Sequence, residues 1–86
     1  MTIDELKKIL KEKPEMLNKI IRQKVKEDET NKAGKIIYEN LTEIYIADMS
    51  TLSDDEDELL AGILDALTGY CARECWIGTA NYHLIS

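Results

Sequence analysis

The chain has 86 residues, 44% of them apolar, with four Gly, one Pro, two Cys and a formal net charge of −6. That composition fits one small globular domain, residues 1–86, and excludes a disordered tail or a disulfide framework. An acidic surface repels nucleic acid and anionic membrane and attracts basic proteins.

The charge is unevenly divided. Residues 1–32 carry nine Lys/Arg against seven Asp/Glu, and residues 33–86 carry two against ten. No apolar run is long enough to span a bilayer. The start, Met1 to Glu5, lacks the apolar core of a signal peptide, so a cytoplasmic protein is expected.

Ile3, Leu6, Ile9 and Leu10 share one helical face, and Thr2 with Glu5 has capping-box spacing. Pro14 ends this first helix and suits the first turn of a second. There Leu17, Ile20, Ile21 and Val25 line one side, and Lys19, Arg22, Gln23 and Lys26 occupy the others. Lys26 to Lys32 reads as a connector, with Thr30 or Asn31 capping a third helix. Its stripe is Ala33, Ile36, Ile37, Leu41, Ile44 and Ala47, flanked by Tyr38 and Tyr45. Ile46 points to the opposite side and Asp48 falls within the stripe, so the helix ends near residue 46; a short strand over Ile44–Ile46 is the alternative.

Ser53 and Glu56 form a second capping-box pair. The acids Asp54, Asp55, Glu56, Asp57 and Glu58 then lie at a helix start, where the dipole favours anions. Leu59, Leu60, Ile63, Leu64, Leu67 and Cys71 form an apolar face, with Ala61, Gly62, Ala66, Gly69 and Ala72 opposite. That small-residue side predicts close approach of another helix, from this chain or a second copy. An unbroken helix puts Glu74 inside the Leu/Ile face. Either the helix breaks near Thr68–Gly69 or Glu74 has a partner. A continuous or slightly kinked helix to Ile77, stopped by Gly78, is the preferred reading. Beyond it, Tyr82, Leu84 and Ile85 predict a tail that folds back or meets a partner.

Motifs for chemistry are sparse, and no enzyme activity is expected. Cys71, Cys75 and His83 are the soft metal ligands, but they lack knuckle spacing and a fourth ligand. Within one helical turn Cys71 and Cys75 would make a poor disulfide. The acidic run fails as a calcium loop, with Leu59 in place of the obligatory Gly. There is no phosphate-binding Gly loop. A helix-turn-helix over residues 14–48 would put Glu39 and Glu43 against phosphate. No cofactor and no metal are expected.

The sequence therefore predicts an all-α bundle of about four helices that binds a protein with a basic surface. An inhibitor, antitoxin, immunity protein or adaptor fits, as does a nucleic-acid mimic. The candidate binding residues are Asp54, Asp55, Glu56, Asp57, Glu58, Tyr38, Tyr45, Trp76 and Tyr82. A homodimer is a further candidate assembly. Two alternatives stand beside this reading: a nucleic-acid-binding regulator using the basic second helix, and a zinc or thiol module at Cys71, Cys75 and His83.

Overall fold

Thr2 and Glu5 close the first capping box and so set the start of α1, Ile3–Glu12. The Thr2 hydroxyl accepts from the Glu5 amide at 3.2 Å, and the Glu5 carboxylate accepts from the Thr2 amide at 3.4 Å. The computed structural model describes residues 1–30 and 32–82. Helix α2, Pro14–Glu27, follows after the single residue Lys13, with Pro14 at its first position as expected. The other two helices are α3, Lys32–Ala47, and α4, Asp54–Thr68. The described residues contain no strand, so Ile44 and Ile46 belong to α3.

The core is the apolar stripe of each helix turned inward. Leu6 and Leu10 come from α1, Leu17, Ile21 and Val25 from α2, and Ile37, Leu41 and Ile44 from α3. Leu60, Ile63, Ala66 and Leu67 come from α4. Helix α3 packs on α4, and α1 lies across α2 and α3. A Lys11–Glu56 ion pair at 2.8 Å ties the end of α1 to the start of α4. The result is an all-α bundle of four helices, as the periodicity predicts.

At the start of α3 a carboxylate acts that the sequence reading did not single out. Asp28 serves the helix start. One carboxylate oxygen accepts from the Thr30 hydroxyl and amide, at 2.6 and 2.9 Å, and the other accepts from the Ala33 amide. Asn31 lies outside the described residues. The Thr30 hydroxyl, then the Thr30 and Ala33 amides, lower the Asp28 pKa from 3.8 to about 2. A carboxyl with a lowered folded-state pKa stabilises the protein above its unfolded value. That contribution is lost as pH falls through the folded value. We therefore expect Asp28→Asn to lower Tm at neutral pH. The gap between variant and wild type should narrow from pH 3.8 toward about 2. Thermal melts across that window check this; a gap that does not change with pH would assign Asp28 no such role.

The largest correction concerns the end of α4. The helix stops at Thr68 rather than running to Ile77. Gly69 adopts φ 84° and ψ 14°, and its amide and that of Tyr70 both donate to the Asp65 carbonyl, at 2.9 and 3.1 Å. This left-handed cap is open to Gly at little cost. The break resolves the Glu74 problem, because Glu74 now lies exposed in a short 3-10 turn, Arg73–Cys75. The chain then returns along α4, where the Ile77 amide donates to the Ala66 carbonyl at 3.0 Å. Ile77, Ala80 and Tyr82 are buried, so this segment completes the core.

The returning segment covers Ala66 and Gly69, but Gly62 stays bare. A Cβ at Gly62 meets nothing within 4 Å. Among the described residues no helix seats there, so of the close approach expected from the small-residue side only a second copy is left. Gly62→Ala should then stabilise by about 0.8–1 kcal/mol through helix propensity alone. A higher Tm with unchanged size on chromatography is the expected result. A lower Tm or a change in size would mean that a second copy packs on this side.

Candidate functional site

Five acids begin α4, and the fold treats them differently. Glu56 accepts from the Ser53 amide at 3.0 Å while its own amide donates to the Ser53 hydroxyl at 3.2 Å. Glu56 is also the partner of Lys11, which is the main reason its pKa is lowered; the Ser53 amide acts in the same direction. Asp57 accepts a hydrogen bond from the Tyr45 hydroxyl on α3, which with its negative charge raises the Tyr45 pKa. These two carboxylates hold the helix start in place.

Asp54, Asp55 and Glu58 remain exposed, as does Asp65 two turns further on. At 100° per residue, Asp54, Glu58 and Asp65 fall within one narrow outward stripe, with Asp55 to one side. Helix α4 carries six carboxylates in all and no Lys or Arg. On α3, Glu39 and Glu43 are also exposed, with Ile36 and Ile46 on the same outward side at 48% and 65% exposure. Glu39 pairs with Lys35 at 3.8 Å.

The aromatic residues are dispersed. Tyr45 joins the acidic face, and Tyr38 is half-buried on the same helix. Trp76 is half-buried on the returning segment. Its indole N–H donates to the Cys71 carbonyl at 3.1 Å, and the Arg73 guanidinium stands 5.7 Å from the ring centre. Tyr82 offers a partner no surface, because it is fully buried. Its ring lies over Gly34 of α3, so it is a core residue rather than a contact residue.

The basic second helix is also partly committed to the fold. Arg22 donates to Asn18 Oδ1 at 2.9 Å, to the Trp76 carbonyl at 3.1 Å and to the Cys75 carbonyl at 2.7 Å. It clamps the returning segment to α2 and is withdrawn from any phosphate-binding face. Arg22 and Asp28 are polar residues whose roles the sequence did not reveal. For Asp28 the Asp-x-Thr spacing before the helix was a usable signal. For Arg22 there was none, since the two carbonyls it holds on the returning segment are 53 and 54 residues away.

Cys71 is half-buried and Cys75 exposed; both are free thiols. They line one cleft of about 380 Å³ together with Arg22, Glu58, Gly62 and Asp65. Among the described residues no group of three or more His, Cys, Asp and Glu is placed to hold a metal ion. His83, the third residue of the zinc alternative, lies outside the described residues. None of the described helices is long and apolar enough to cross a membrane. Compared with protein-family models, curated proteins and solved structures, the chain matches none.

Proposed function

We propose that this protein is a small acidic binding module acting in the cytoplasm by stoichiometric association with a protein that presents a basic surface. Inhibitor, antitoxin, immunity and adaptor roles all fall within that description. The supporting observation is the fate of the α4 acids. The fold employs Glu56 and Asp57 and leaves Asp54, Asp55, Glu58 and Asp65 in solvent without a cation on their helix. Asp54 and Glu58 are a like-charged pair one turn apart, a small cost to the isolated helix. A surface of Lys and Arg would offset that cost on binding.

Along the helix axis Asp54 and Glu58 are about 6 Å apart, and Glu58 and Asp65 about 10 Å. Such uneven spacing suits contact with separate basic side chains better than imitation of a regular phosphate backbone. Tyr45 and the exposed Ile36 and Ile46 of α3 add apolar area beside the charge.

The experiment is a comparative capture from cell extract. Wild type and the variant Asp54→Asn, Asp55→Asn, Glu58→Gln, Asp65→Asn serve as baits, with quantitative mass spectrometry of what each retains. The four sites leave Glu56 and Asp57 to hold the fold, which circular dichroism verifies. Expected is a basic protein retained by wild type at a stoichiometric level and depleted about ten-fold or more on the variant. Equal retention by both baits would remove α4 from the interface.

A further inference from the structure

Cys71 and Cys75 lie outside the helix in which their sequence spacing first places them. Gly69 breaks α4, and the chain between the two cysteines turns back on itself. Ala72 is extended, with ψ 143°, before the turn Arg73–Cys75. The Cys75 amide donates to the Ala72 carbonyl at 2.8 Å. Carbonyl groups at both ends of the turn are held: Cys71 by the Trp76 indole and Cys75 by Arg22. Both cysteines line the same cleft. An irregular turn of this kind has dihedral freedom that a helical turn lacks, so the usual objection to a disulfide between residues four apart does not apply here.

The two thiols differ in environment. Cys75 is exposed. Cys71 is half-buried, and its pKa is raised first by that burial, then by Cys75 and Asp65; Arg22 opposes these effects. Cys75 is therefore the thiol that meets a reagent from solvent, and Cys71 the one that waits behind it.

We propose that Cys71 and Cys75 form a reversible dithiol–disulfide couple, oxidised by low-molecular-weight disulfides such as glutathione disulfide. Cys75 loses its proton to solvent and attacks one sulfur of the oxidant. The oxidant's S–S bond breaks, leaving a mixed disulfide on Cys75 and releasing one thiolate, which takes up a proton. Cys71 then loses its proton to solvent and attacks the Cys75 sulfur, breaking the mixed disulfide. The second oxidant half leaves as a thiolate and is protonated. Two electrons pass to the oxidant, and one intramolecular disulfide closes a five-residue ring. The ring locks the turn that precedes Trp76 and meets Arg22, and both cysteines line the cleft that Glu58 and Asp65 of α4 also line. Oxidation thus marks the edge of the acidic face. This inference does not depend on what that face binds.

The test uses the full chain, reduced and then equilibrated in glutathione buffers of rising oxidised fraction. Acid quenching, alkylation of remaining thiols and mass spectrometry read the products. Expected is a monomer two hydrogen masses lighter, with neither cysteine alkylated and the Cys71–Cys75 link found by peptide mapping. Dithiothreitol should reverse it. Cys71→Ser should stop the reaction at a stable glutathione adduct on Cys75. The wild-type mapping needs no variant, so it decides the matter even if Cys71→Ser folds poorly. Separate adducts on the two cysteines, an intermolecular dimer, or no reaction would each overturn the proposal.

Discussion

Tyr82→Ala should leave most of the protein unfolded or cut its stability by about 3–5 kcal/mol, the usual cost of removing a buried aromatic ring. A domain of this size has only about 4–13 kcal/mol in total, at 0.05–0.15 kcal/mol per residue. Tyr82 is fully buried and stands near the C-terminal limit of the described residues. Its ring fills the space over Gly34, and its hydroxyl accepts from the Thr79 amide at 3.3 Å and lies against Gly78. Tyr82→Phe separates packing from polar contact. It keeps the ring and loses one hydrogen bond, a change of about 1 kcal/mol. Urea unfolding of the two variants measures both terms. An alanine variant as stable as wild type would mean that the returning segment is not part of the core.

Gly34→Ala should destabilise even though alanine is the better helix former. A Cβ at Gly34 would overlap the Tyr82 ring, and the ring is enclosed and has no room to retreat. Overpacking of this kind costs about 1–3 kcal/mol. The gain in helix propensity is at most about 1 kcal/mol. The steric term therefore wins at position 34. At Gly62, where nothing is near, the propensity term acts alone. The same substitution should lower Tm at one glycine and raise it at the other. Each melt is the control for its partner, and a shift of the same sign at both would contradict the packing described here.

These two residues mark where the sequence was hard to read. Local signals were legible because they act over one turn. Thr2 with Glu5 and Ser53 with Glu56 are capping boxes in the sequence and in the structure. Pro14 separates α1 from α2 as its missing amide requires. The end of α4 was misread because the apolar pattern continues past Gly69 through Cys71 and Trp76. Periodicity cannot show that the chain reverses there. Glu74 was the sign of trouble, since a helix running on would have buried its charge. Tyr82 was read as a contact residue because nothing in the local sequence ties it to Gly34, 48 positions earlier. The acidic site was legible as a run of five. Its division was not: Lys11 and Tyr45, which engage Glu56 and Asp57, come from other helices.

That division is what gives α4 its proposed role, because the carboxylates left over are the ones available to a partner. The most direct measurement is the association rate of the captured basic partner as a function of ionic strength. It is made with wild type and with the variant Asp54→Asn, Asp55→Asn, Glu58→Gln, Asp65→Asn. Complementary charge acts chiefly on association, and salt screens it. Wild type should associate about ten-fold or more faster than the variant at low salt, with the two rates converging as salt is raised and dissociation changing less. Equal association rates at low salt, with a shared salt dependence, would contradict the claim that these four carboxylates steer binding.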